Sequence, residues 1–422
     1  MNFPSFNFDL FSNEIFFAFM FGAILLDFPR YTLAAVVTAF RSVFVNAIDP
    51  DFKPSVSVII SSYNGSGSLL DCLKAIQCQS YQPLEVIVVD DGSSENLNEI
   101  LSCAKSQHLI QKAIIHRLRC GKSASVNHAA RFAKGQLLLN IDDDTHLEKD
   151  AILELVSAFK NENTVIASGL ITIRNAEASM ITSLQSIEYA LAMNSGRVFL
   201  DYFGAMPCCS GAFNMTRKDF FTQTFGLNTG PGEDLEITLR ARQLGYDARF
   251  VETAHASVLA PETLPSLIGQ RLRWDRDELN IRVNQYHELN FAHPLHRLSE
   301  YIHTFDFFIF SFLSTILFPV YMLYLNSMLV QSYWNFLFDL YIYLLPFYLI
   351  PIALNLMNPS IRLRFFDFLV LPIFPFYQGV LMKLVRLYAY CSEIILRESI
   401  NDDYVPKRIR SALYDKQNVV KP

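Results

Sequence analysis

The chain is poor in cysteine arranged for pairing. Its seven Cys (Cys72, Cys78, Cys103, Cys120, Cys208, Cys209 and Cys391) include no Cys-x-x-Cys and no zinc-type spacing, and read as reduced intracellular thiols. Cys208-Cys209 reads as ordinary packing beside a cleft. Positive charge is also in deficit. Lys and Arg number 35 against 41 Asp and Glu, a net charge of −6, which argues against a nucleic-acid partner. Residues 1–14 hold Asp9 and Glu14 but no Lys or Arg, so no signal-peptide n-region is present there. Gly121-Lys122-Ser123 lacks the partner glycine of a P-loop, because position 116 is His116; the ATP-binding reading falls.

What the chain has in abundance is apolar surface, unevenly placed. Hydrophobic residues make up 51% and Phe numbers 36, mostly at the two ends, whereas residues 50–300 read as a soluble α/β domain. At the N-terminus, residues 15–26 are apolar, Asp27-Phe28-Pro29-Arg30 interrupts, and residues 31–40 resume. Together the halves are long enough to span a bilayer once. Arg30, Arg41 and Lys53 on the C-terminal side put that side in the cytoplasm. A buried hairpin or a membrane-surface element fits the same pattern.

At the other end, residues 264–283 combine Leu, Ile and Trp with a dense Arg/Asp set, as at an interface between a soluble domain and a membrane. Residues 307–325 and 340–356 are candidate spans. The loop 326–335 lacks Lys and Arg while Arg362 and Arg364 follow, which keeps the catalytic side cytoplasmic. The third apolar run, 366–382, is broken by Pro372 and Pro375 and followed by Lys383, Arg386 and the basic Lys407-Arg408-Ile409-Arg410. It reads either as a span or as a surface-lying or re-entrant segment. The boundaries expected are an anchor over 1–45, a catalytic domain over 50–280, interfacial and transmembrane helices over 281–398, and a basic tail over 399–422.

Within the soluble part, residues 56–60 form a buried strand, 61–65 a turn and 69–78 a helix. A second strand over 85–89 runs into Asp90-Asp91-Gly92-Ser93-Ser94 and a helix near 97–104. Two successive strand–turn–helix units predict a parallel sheet. An apolar strand over 137–141 then ends in Asp142-Asp143-Asp144. Three adjacent carboxylates at a buried strand end are costly without a cation, and oxygen donors suit Mg²⁺ or Mn²⁺ with substrate phosphates. A solvated acidic turn is the plain alternative.

Ser61-Ser62-Tyr63-Asn64, Asp90-Asp91-Gly92-Ser93, Gly121-Lys122-Ser123-Ala124-Ser125-Val126-Asn127, Asp142-Asp143-Asp144-Thr145, Gly232-Glu233-Asp234 and Gln270-Arg271-Leu272-Arg273-Trp274 occur in that order. The set, over about residues 56–276, resembles the inverting family 2 glycosyltransferases of the processive membrane type: the hyaluronan, chitin, cellulose and poly-N-acetylglucosamine synthases. The resemblance implies an α/β fold, a GT-A (Rossmann-like) nucleotide-sugar domain with flanking transmembrane and interfacial helices. It implies Asp142 and Asp144 for the metal, Asp90 or Asp91 for the base and ribose, and Tyr63 as a ring for uracil. Lys122 and Arg273 would contact phosphate, and Asp234 would be the general base. Gln270, Trp274 and Glu233 fall on the acceptor side, with residues 210–213 lining the cleft. Read alone, Glu233 and Asp234 would complement a helix dipole and Trp274 would be a core aromatic or an interfacial anchor. His255, His293 and His296 read as structural.

One base opposite the leaving group implies displacement with inversion, unlike a two-carboxylate retaining site. The expected partners are a UDP-sugar donor, a polysaccharide or lipid acceptor, membrane lipids, and partner subunits for export. The expected enzyme elongates a β-linked polysaccharide at a multi-pass membrane. Transfer of one sugar to a lipid is the alternative, and a transporter with a nucleotide-binding domain is a third.

Overall fold

The computed structural model describes residues 20–41, 51–228, 230–290, 297–329, 333–356, 363–401 and 406. Most of the N-terminal anchor outside 20–41, most of the tail over 399–422, and both His293 and His296 lie outside them.

Among the described residues, eight strands form one sheet: β1 (Val56–Ser62), β2 (Leu84–Asp90), β3 (Lys112–Ile115), β4 (Leu137–Asp142), β5 (His146–Leu147), β6 (Thr164–Ile173), β7 (Phe213–Arg217) and β8 (Asp247–Val258). Their spatial order is β3-β2-β1-β4-β7-β6-β8-β5. The first four are parallel, as the repeated strand–turn–helix units predict. The remainder departs from a purely parallel sheet. β7 runs antiparallel to both β4 and β6, and β5 runs antiparallel to β8.

β1 and β4 read as mostly apolar runs, broken only by Ser57 and Asn140 before their polar ends, because helices cover both faces. Successive residues serve opposite sides. Val58, Ile60, Leu139 and Ile141 enter one core, while Ile59, Ile87 and Leu138 enter the other. Register then decides where the polar ends fall. Ser62 is level with Asp90, and Ser61 with Asp142, so the carboxyl ends of β1, β2 and β4 share one rim. That rim is where open α/β sheets bind ligands. Ile141 pairs with Phe213, which brings the segment before β7 back to the same rim.

A third core joins the catalytic domain to the apolar helices. Leu25, Leu26 and Tyr31 pack with Leu267, Tyr321, Leu344, Phe347, Tyr348, Phe374 and Tyr377. Among the described residues, three helices are long and apolar enough to cross a membrane, Leu298–Ser327, Phe338–Asn355 and Phe365–Leu396, by length and composition. The charges that interrupt the runs have specific partners. Asp27, at φ 61° where the N-terminal helix breaks, pairs with Lys383 at 3.0 Å; Arg30 pairs with Asp306 at 2.9 Å, and Arg386 with Asp275 at 2.9 Å. The last segment therefore presents Lys383, Tyr390 and Glu393 inward, while Leu384, Tyr388, Ile394, Ile395 and Leu396 stay exposed. Through Arg386 its C-terminal half is tied to Asp275 on the helix Leu264–Asn280.

Candidate active site

The site begins at the end of β2. Asp90 Oδ1 accepts the Ser93 N–H at 2.9 Å, which closes the turn. Asp91 is more heavily engaged. It accepts the N–H groups of Cys120 (2.8 Å) and Gly121 (2.7 Å) and the Ser125 hydroxyl (2.9 Å), with His116 Nδ1 at 3.1 Å. Its carboxylate thus fixes the loop that enters the helix Lys122–Ala130 through Gly121, whose φ of 89° suits glycine. Beside it, Asn64 Oδ1 accepts from Ser94 N and Oγ at 2.9 and 3.0 Å, tying the β1 and β2 loops together. The Tyr63 ring is half exposed, and the Arg119 guanidinium lies 4.3 Å from its centroid.

The acidic half is held by one lysine. Lys122 Nζ donates to Asp142 Oδ1 and to the Gly211 carbonyl (3.0 Å), and stands 3.7 Å from Glu233 Oε1. Burial works against the ammonium, but Asp142 and Glu233 outweigh it and raise its pKa. Burial likewise pushes the Glu233 carboxyl up, against the opposing pull of Lys122. Gly211 donates its N–H to Asp234 Oδ2 at 2.8 Å, and Leu235 N–H donates to Oδ1 at 2.8 Å. Gly232, left-handed at φ 70°, turns the chain so that Glu233 and Asp234 open the helix Glu233–Gln243. Lys122, Glu233 and Asp234 therefore gather at a single residue, Gly211, with Asp142 joined to the group through Lys122.

The neighbouring carboxylates differ in support. Asp143 is bonded by the Ser62 hydroxyl at 2.5 Å, and its pKa is raised chiefly by burial. Gly65 makes room for it: a Cβ there would stand 1.9 Å from Asp143 Oδ2. Asp144 is pushed up to about 6 by burial and by the Asp142 and Asp143 charges. A carboxylate so short of positive charge, beside a second one, is a donor set that fits a hard divalent cation.

The helix Leu264–Asn280 carries the remaining predicted residues. Trp274 packs, half-buried, against the core that contains Ile141 and Phe213, the residues flanking this rim on β4 and β7. The Arg271 guanidinium lies 4.4 Å from the Trp274 ring and bonds Glu188 at 2.9 Å. Glu188 in turn accepts the Tyr377 hydroxyl at 2.6 Å. Gln270 has a buried side-chain oxygen with no hydrogen-bond partner among the described residues.

Sequence reasoning missed several participants. Gly211 was seen only as part of a cleft-lining segment, and Asn140, which donates to its carbonyl at 3.1 Å, was not singled out. Arg119 over Tyr63 was also missed, as was the pair formed by His116 Nε2 and His128 Nδ1 at 2.9 Å. None of these carries a motif; tertiary placement alone reveals them. The C-terminal segment also returns here, with Pro406 Cδ 3.3 Å from where a Gly121 Cβ would lie.

Comparison with known proteins agrees with this architecture. Residues 57–225 match the family model described as glycosyl transferase family 2. An N-acetylglucosaminyltransferase of Azorhizobium caulinodans is 34% identical over 236 residues, 53% of this chain and 59% of that protein. A hyaluronan synthase of Streptococcus pyogenes is 29% identical over 243 residues, 54% of this chain and 57% of that protein. The chain thus spans little more than half the length of these curated relatives. A solved mannosyltransferase from Pyrobaculum calidifontis, in complex with GDP-Man and Mn²⁺, shares the fold with a TM-score of 0.61 at 17% identity, over 89% of this chain and 99% of that one. With its mixed GT-A sheet and this acidic rim, the chain holds a segment that matches the glycosyl transferase family 2 model and is similar to relatives named N-acetylglucosaminyltransferase and hyaluronan synthase.

Proposed function

We propose that the protein is a membrane-bound inverting glycosyltransferase that moves a sugar from a UDP-sugar to the end of a growing β-linked polysaccharide. The observation that carries this is the convergence of Lys122, Glu233 and Asp234 at Gly211, with Asp142 joined through Lys122. The relatives named N-acetylglucosaminyltransferase make UDP-N-acetylglucosamine the first donor to test.

In this reading Tyr63 stacks on the base, with Arg119 on the ring and Asp90 and Asp91 at the base and ribose. Asp142 and Asp144 would hold a divalent cation; the mannosyltransferase that shares the fold is solved in complex with Mn²⁺ and its own donor. When bound, that ion supplies Lewis-acid stabilisation of the diphosphate leaving group. Lys122 and Arg273 add cationic contacts to the phosphates. Asp234 accepts the proton of the attacking hydroxyl, its carboxylate oriented by the Gly211 and Leu235 N–H groups. Trp274 offers a flat face to the acceptor sugar, with Gln270 and Glu233 beside it. The three apolar helices seat the catalytic domain at the membrane, on its cytoplasmic side.

One observation favours transfer of a single sugar to a lipid. Between the apolar helices Phe347, Tyr348 and Phe374 are wholly buried and Tyr321 bonds Tyr343, so this space is filled by aromatic rings. Incubating detergent-purified protein with a panel of UDP-sugars and Mg²⁺ or Mn²⁺ tests both readings. Released UDP identifies the donor, and a ladder of chains or one glycolipid identifies the mode. No UDP release with any donor would refute the enzyme assignment.

A further inference from the structure

Three side chains of different chemistry meet behind the donor pocket. Asp91 at the end of β2, His116 just after β3 and Cys120 in the following loop bring a carboxylate oxygen, an imidazole nitrogen and a thiol sulfur within 4.8 Å of one another. The Ser125 hydroxyl sits 2.9 Å from Asp91 Oδ1 and 3.5 Å from His116 Nδ1, adding a neutral oxygen at the same point. The cysteine pattern gave no hint of this, because the set joins one cysteine to a histidine four residues before it and to a distant aspartate.

We infer that Asp91, His116 and Cys120 form a zinc site, distinct from the Asp142/Asp144 rim, whose occupation opposes binding of the nucleotide donor. The ligand types select the metal. Magnesium takes oxygen ligands, whereas zinc favours nitrogen and sulfur, with carboxylate tolerated. Metal–ligand bonds of about 2.0–2.3 Å put tetrahedral ligands roughly 3.5 Å apart, so small side-chain adjustments close the site. A metal-binding imidazole needs its second nitrogen held by a partner. Here His116 Nε2 faces His128 Nδ1 at 2.9 Å, with ring planes 13° from parallel and centroids 5.2 Å apart, so the rings meet edge to edge. In the metal-bound form Nε2–H donates to His128 and Nδ1 turns its lone pair to the ion. Carboxylate and thiolate together balance the double charge, the thiol proton being released to solvent. The antagonism rests on the donor pocket proposed above. Asp91 now fixes the loop at Cys120 and Gly121 that leads into Lys122, so drawing its carboxylate onto a metal rearranges the pocket floor.

The test uses the full chain in detergent, stripped of metal and then saturated with Mg²⁺. Titration with Co²⁺ is expected to produce a thiolate-to-cobalt absorption band that Zn²⁺ displaces and that Cys120→Ser abolishes. Zinc is expected to weaken UDP binding about tenfold in the wild type and less than about twofold in Cys120→Ser, with transfer in zinc-free buffer unchanged by that substitution. Absence of the band, or its persistence in Cys120→Ser, overturns the site. Zinc bound at Cys120 with UDP affinity unmoved overturns the antagonism. Failure of all UDP-sugars as donors would instead remove the proposed function and leave the cobalt result standing.

Discussion

Replacing Asp234 with Asn separates catalysis from architecture. The aspartate accepts two backbone N–H bonds, from Gly211 and Leu235, each at 2.8 Å. Asn has the same shape but one acceptor oxygen, so one of these bonds is lost and an amide N–H₂ faces a backbone N–H. A lost bond to a charged group costs about 1.5–3 kcal/mol, an upper figure here because the site is partly open to water. The fold is expected to survive, with a lowered Tm. Chemistry suffers more. Removing a positioned general base costs about 10²–10⁴ in rate, or roughly 2.7–5.4 kcal/mol at the transition state. UDP binding in Mg²⁺, measured by calorimetry, is expected to stay within about threefold of wild type, because the base acts only on the acceptor hydroxyl. Turnover is read from UDP release under saturating donor. A variant with near-normal kcat would refute the assignment, and one with kcat and UDP affinity falling together would make Asp234 a donor ligand.

Asp144→Ala is expected to weaken metal-dependent UDP binding while leaving the metal-independent fraction unchanged, as calorimetry with and without Mn²⁺ would show. With the Asp144 carboxyl pushed up to about 6, a proton competes with the cation. Metal-dependent UDP affinity is therefore expected to be full above pH 6 and to fall as pH drops through it, by at most about tenfold per unit, and flat affinity down to pH 5 would count against it. Its own stability term has the opposite sign: a raised carboxyl pKa stabilises the metal-free fold below the ordinary value of 3.8, and that term is lost as pH rises towards 6. Asp27→Ala leaves Lys383 buried without its 3.0 Å partner and is expected to destabilise the detergent-solubilised protein by about 3–5 kcal/mol. Unchanged thermal unfolding would mean that water reaches that lysine.

The sheet's first half was legible because burial on both faces leaves a largely apolar run, as in residues 137–141 with Asn140 the one exception, and because the turn chemistry after each strand is local. The antiparallel return of β7 was not, since pairing Ile141 with Phe213 depends on a contact across more than seventy residues. For the same reason Asp142 could be nominated from sequence but Gly211 could not be recognised as the residue that links it, through Lys122, to Asp234. Backbone N–H groups have no sequence signature, so Asp91 could be read only as a ligand, whereas its carboxylate also holds the 116–121 loop. The charge at Asp27 read only as an interruption between two apolar halves. Its partner, Lys383, lies hundreds of residues away, and only the folded chain shows that the two were placed for each other.

The Trp274–Arg271–Glu188–Tyr377 relay has a mechanical corollary. Tyr377 belongs to the long apolar segment 365–396, so under the proposed membrane placement a displacement of that helix would tug, through two hydrogen bonds and a guanidinium over the ring, on the indole beside the acidic rim. If the proposed membrane placement holds, bilayer thickness and lateral pressure would gain a lever on the proposed acceptor side.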